Sequence, residues 1–140
     1  MKLYKLLLLI AIFVTNSIVV EAKNDNAKLD TAYIFGFAIP LDGGTIYITD
    51  IQKLKVYHEN NHSRFLIDRD DYAYQLRDYL TATTKEELPT CVILFAYKEK
   101  DAIKKYLKLI KNYTNKKIET YPLIKLTPDK FKFKTVEINQ

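Results

Sequence analysis

Apolar residues first run without a break from Leu6 to Val14. After a polar stretch at Lys23 to Lys28 they return in short blocks whose spacing alternates between two and about four residues. Tyr33-Ile34-Phe35-Gly36-Phe37-Ala38-Ile39 is aromatic and β-branched and stops at Pro40, the signature of a strand. Pro40 to Gly44 carries the glycines that a tight turn uses for positive φ. Thr45 to Ile51 then alternates polar and apolar positions, so an antiparallel hairpin is predicted over 33–51. Leu54, Val56 and His58 alternate with Lys53, Lys55 and Tyr57, continuing that strand or starting a third, and Phe65-Leu66-Ile67 reads as another short one.

Acidic residues at Asp68 to Asp71 suit the positive end of a helix dipole. Behind them Tyr72, Leu76, Tyr79 and Leu80 form one apolar stripe, fading at Thr81 to Thr84 before a loop that runs to Pro89. Cys91 to Tyr97 is the most apolar stretch after the leader and reads as a central buried strand. A second helix is predicted over 99–113, with Ala102, Ile103, Tyr106, Ile110 and Tyr113 inward and Lys104, Lys105, Lys108 and Lys111 outward. Asn115 to Lys117 should end it, Ile118 to Leu126 reads as a strand, and Phe131, Phe133, Thr135 and Glu137 suggest a last edge strand. The predicted fold class is α+β: a two-layer sandwich with a mixed, mainly antiparallel sheet of five to six strands and two helices on one face.

Composition adds an address. Lys2 and Lys5 precede the nine-residue apolar run, and Val20-Glu21-Ala22 supplies the small residues a signal peptidase accepts. Residues 1–22 thus read as a cleaved signal peptide, because Thr15, Asn16 and Ser17 interrupt the run short of the ~20 apolar residues a spanning helix needs. Residues 23–31 read as a flexible lead-in, and 32–140 as a single domain placed in the periplasm or outside the cell. One cysteine cannot form an internal disulfide, and its place at the head of an apolar run marks Cys91 as a buried structural thiol. The formal net charge of +5 comes mainly from lysine, with only Arg64, Arg69 and Arg77 present, which disfavours a dedicated nucleic-acid binder.

One stretch matches a catalytic motif literally. His58-Glu59-Asn60-Asn61-His62 is H-E-x-x-H, in which two histidines on one helical face hold zinc and the glutamate activates water. Its neighbours read as strand on both sides and Asn60-Asn61 disfavours a helix, so the match is expected in a hairpin loop. With no third histidine, Glu86 or Glu87 would have to complete the ligand set. The tyrosine strands 33–35 and 46–48 echo those of GIY-YIG nucleases without the flanking glycines. Arg64, Asp68, Arg69, Asp70 and Asp71 read as a helix start with surface ion pairs. Ser63 is the one serine beyond the leader and lacks a glycine-framed elbow, which speaks against a serine nucleophile. No cofactor is implied.

Lys104, Lys105, Lys108 and Lys111 are the candidate binding residues, a basic helix face suited to an anionic polymer, a cell-wall component or an acidic protein. Tyr33 to Phe37, Tyr47 to Gln52, Tyr74 to Leu80 and Leu126 to Phe131 together resemble a group of small secreted proteins of Gram-negative gut bacteria. That resemblance, over about 32–136, implies exported residence and no catalytic residues. Residues 91–125 are more weakly similar to the strand-helix-strand unit of peptidoglycan-binding SPOR domains, which implies glycan binding. The expected function is a non-enzymatic interaction module, with a zinc-dependent hydrolase using His58, Glu59 and His62 as its rival and SPOR-like glycan binding as another.

Overall fold

The structure is a computed structural model and describes residues 26–41, 44–114 and 121–138. The leader, the end of the second helix at 115–117 and the start of the strand expected at 118 lie outside the described residues. The spine is β1 (Ala27–Ile39), flanked on one edge by β2 (Ile46–Thr49) and β3 (Gln52–Glu59) and on the other by β4 (Thr90–Ala96). Tyr33 and Ile34 lie between β3 and β4, and Phe37 and Ala38 between β2 and β4, which is why β2 and β3 occupy one common edge. β5 (Leu123–Leu126) adds parallel to β2, giving the order β4, β1, β2 with β3, β5. The α+β class and the five-stranded mixed sheet are those read from the sequence.

β1 begins at Ala27, five residues before the expected start of order at Ala32. The lead-in is polar, but β3 lies opposite every residue from Ala27 to Ile34 and supplies the ladder that hydrophobicity does not. Asp30, within that stretch, receives Arg64 Nη2 at 2.5 Å.

Between the two hairpin registers, Phe35 and Gly36 of β1 face three residues, Thr49, Asp50 and Ile51. This is a β-bulge. Its unpaired space is filled by Thr49, wholly buried, whose Oγ1 accepts the Gly36 N–H at 2.9 Å and donates to Asp50 O at 3.0 Å. The extra residue reverses the alternation, so that Tyr47 and Thr49 share a face with Leu54, Val56 and His58.

Two helices follow from the two apolar stripes, α1 (Arg69–Thr83) and α2 (Glu99–Thr114). They do not share a face. Tyr72, Leu76 and Leu80 of α1 pack on Ala32, Ile34 and Ala38, the even positions of β1, which define the front. Tyr106, Leu109, Ile110 and Tyr113 of α2 pack on Phe35, Phe37 and Ile39, the odd positions, on the back. The sandwich therefore has three layers, because both faces of β1 are apolar and each must be covered. Ile103 turns out 43% exposed, at the flank of α2.

β4 pairs only with β1 among the described residues, so the apolar run at 91–97 is an edge strand and the spine is β1. Residues 131–138 form no strand. They are an extended strap across the front, held by side-chain amides in place of a ladder. Gln52 donates to Phe131 O at 3.0 Å and accepts from Phe133 N at 2.9 Å; Gln75 brackets Lys134 in the same way, at 2.9 and 2.8 Å. Phe131 and Phe133 stack edge-on at 4.8 Å and close the front core over Tyr72 and Tyr79.

Gly36 sits where α1 meets the sheet. A Cβ there would lie 2.5 Å from Leu76 Cδ2, 3.1 Å from Phe133 Cζ and 3.4 Å from Ile93 Cδ1, all in buried side chains. Gly36→Ala should lower unfolding stability by about 1–3 kcal/mol through overpacking. In urea titrations the loss should be less than additive with Leu76→Ala, the substitution that removes the clashing atom.

Candidate functional site

The H-E-x-x-H residues do not form a helix. His58 and Glu59 end β3, 60–63 is a turn, and the chain returns through a bridge between His58 and Leu66, with Glu59 N bonded to Phe65 O and Ile67 N to Tyr57 O. Asn61 builds the turn: its Oδ1 accepts from Ser63 Oγ and Arg64 N, and its Nδ2 donates to Glu59 Oε2 at 2.7 Å. His58 is 2% exposed, while His62 lies in the exposed turn. Glu86 lies beside Gly44, close to Pro40, at the opposite end of the sheet from His58, which faces Lys28. Along β1 that separation is ~35 Å, at about 3.3 Å per residue. Among the described residues no three His, Cys, Asp or Glu groups converge as a metal site.

His58 packs under Tyr97. Its Nδ1 lies 2.7 Å from Glu59 O, and a carbonyl only accepts, so that nitrogen carries the proton. Among the described residues Nε2 has no hydrogen-bond partner; it lies 3.7 Å from Asp30 Oδ2, with the Tyr97 ring edge-on at 5.3 Å between ring centres. Arg64 lies over the Tyr97 ring, 4.0 Å from its centre, and the Tyr97 hydroxyl donates to Arg64 O at 2.8 Å. Burial pushes the Tyr97 hydroxyl up, which keeps it protonated and donating.

Next to this cluster a groove of about 660 Å³ opens between the turn and the start of α2. Phe65, Phe95, Ala96 and Tyr97 make its apolar floor, and Lys98, Lys104, Lys105 and Lys108 rise around it with Asp101 as the one acid. Three of the four candidate lysines are thereby brought together; Lys111 is exposed on α2 outside the lining. Among the described residues Lys98, Lys104 and Lys108 form no ion pair. Lys105 Nζ donates to Phe95 O at 2.7 Å, and Arg69 donates from Nε to Ile93 O at 3.0 Å and again from Nη2.

The floor was invisible as a site in the sequence because Phe65, Phe95 and Tyr97 read as strand residues. Nor do Arg64 and Arg69 pair with Asp68, Asp70 or Asp71: one goes to Asp30 and Tyr97, the other to a carbonyl. The available signal was the pair Phe95 and Tyr97 at one-face spacing, directly before the lysine-bearing helix.

Comparison of the chain with protein-family models, curated proteins and solved structures finds no match. No helix among the described residues is long and apolar enough to cross a membrane.

Cys91 is half-buried, its Sγ 3.7 Å from Pro89 O, and burial pushes the thiol up to about 11. Alkylation by iodoacetamide near neutral pH should run roughly two orders of magnitude slower than for an exposed cysteine, since the thiolate is the nucleophile. The backbone amide of Thr31, with help from Arg64, holds the Asp30 carboxyl below its ordinary value. A depressed folded-state value means that ionised Asp30 contributes stability above the ordinary carboxylate range and loses it as pH falls through the lowered value. Urea midpoints measured down to about pH 3 should fall less steeply for Asp30→Asn than for the native chain.

Proposed function

We propose that the chain is a non-enzymatic binding module, exported by its leader, that takes an anionic partner in the groove beside α2. One observation carries this reading: three lysines without an ion pair among the described residues and a fourth, Lys105, stand around an aromatic floor, with Phe65 60% exposed. Such a surface offers apolar contact at its centre and cationic attraction at its rim, the anatomy of a recognition site. A partner carrying repeated negative charge along an extended backbone fits it, whether an acidic protein segment or an anionic cell-wall polymer.

No group in the groove is built as a nucleophile. Ser63 Oγ donates to Asn61 Oδ1, and burial keeps the Tyr97 hydroxyl protonated and donating to Arg64 O. The chemistry on offer is attraction and shape.

Calorimetric titration with polyglutamate and with polygalacturonate at low salt should detect binding to at least one of them. Affinity should fall about tenfold or more for the combined Lys104→Glu, Lys105→Glu and Lys108→Glu variant, and with added salt. Absence of heat with both polymers at low salt, from a folded chain, overturns the reading.

A further inference from the structure

We infer that the free edge of β4 is the docking line for an extended acidic peptide, which adds to the sheet as a strand and replaces Arg69 and Lys105 at the carbonyls of Ile93 and Phe95. The inference rests on the binding reading above and names the partner class and the mode of contact.

Among the described residues β4 has a partner on one side only, β1. A strand residue points its N–H and C=O to the same side, and alternate residues share an edge. Ile93 and Phe95 are two residues apart, and their carbonyls are reached by side chains from outside the sheet. Their amide groups therefore face the open edge.

Those two carbonyls are held by cations that come from opposite layers. Arg69 reaches round from α1 on the front, and Lys105 from α2 on the back. Both also lie near the Phe95 ring, at 5.8 and 5.7 Å. Charged side chains at an edge prevent indiscriminate strand pairing. They also set a condition for pairing, because any arriving strand must supply acceptors for the cations it displaces.

An acidic strand meets that condition. Its backbone N–H groups at alternate residues, ~6.8 Å apart, match the spacing of the two carbonyls. Its carboxylates receive the released Lys105 and Arg69, together with Lys104 and Lys108 on the groove wall. The edge is also hollowed: the larger groove takes in Phe95 and Ala96 at the end of β4 with Tyr97 and Lys98 after it, and a second hollow of about 160 Å³ lies along Cys91, Val92 and Ile93 beside Arg69 and Asp70. A polysaccharide can satisfy the lysines but offers no regular row of amide donors for the two carbonyls. The peptide is therefore the partner that uses every feature of the edge.

The test uses the full chain and a short, capped peptide of alternating Glu and Val, with alternating Lys and Val and polygalacturonate as comparators. Calorimetry should give the Glu peptide at least about tenfold tighter binding than the Lys peptide at low salt. Hydrogen exchange read by NMR should show the amides of Ile93 and Phe95 slowed about tenfold or more by the Glu peptide, with the alternate amide of Leu94, already turned to β1, little changed. Lys105→Met should weaken the Glu peptide several-fold and leave the fold intact by circular dichroism. Binding of the Glu peptide without protection of Ile93 and Phe95, or binding of polygalacturonate alone, overturns strand addition while leaving the groove reading standing. No binding of any probe overturns both.

Discussion

The absence of a side chain at Gly36 is the constraint on which the rest of the molecule is arranged. It lets Leu76 settle onto the middle of the sheet from the front and lets Phe133 close in behind it. The residues on either side, Phe35 and Phe37, point backward and seat α2 through Tyr106 and Tyr113. Three consecutive residues of one strand thus anchor all three layers. The same point of β1 faces the bulge, and Thr49 supplies the hydrogen bond that the broken ladder leaves unmade at the Gly36 amide. Because the bulge reverses the alternation, His58 and Gln52 come to the front, where one supports Tyr97 and the other grips the strap.

Elements with strong local signals were legible in the sequence. The hairpin at 33–51 followed from alternation and from the glycines at Pro40 to Gly44, and both helices followed from stripes of apolar residues, the first with acidic residues at its start. What escaped was non-local. The five residues at Ala27 to Thr31, three of them polar, extend β1 because β3 lies beside them. The strap at 131–138 showed a strand-like alternation, yet side-chain amides hold it, and the pairing of Gln52 with Phe131 spans 79 positions. The side on which α2 packs depends on both faces of β1 being apolar. Tyr33 to Ile39 displayed that openly as an unbroken apolar run, and it was the reading of the sheet as one-sided that hid it.

The groove was half legible for the same reason. Lys104, Lys105 and Lys108 stood out as a charged helix face, and the structure unites them. Its floor comes from two strands distant in sequence, and nothing at Phe65 or Tyr97 alone announces a surface. Asp30 and Arg64 were similarly hidden, one in a segment read as loose and the other in a cluster read as a helix start. Their joint effect is to hold the aromatic wall upright. The literal zinc motif illustrates the reverse, a pattern whose chemistry depends on a helix and whose residues lie in a strand and a turn.

The strap has a consequence for how this chain comes to be folded. The front core contains residues from Ala32 and from Phe133, so neither end can be buried without the other. Contacts between such distant positions raise contact order and slow the final closure. A chain made N-terminus first therefore keeps the surface shared by β1 and α1 open to water until the strap has been made.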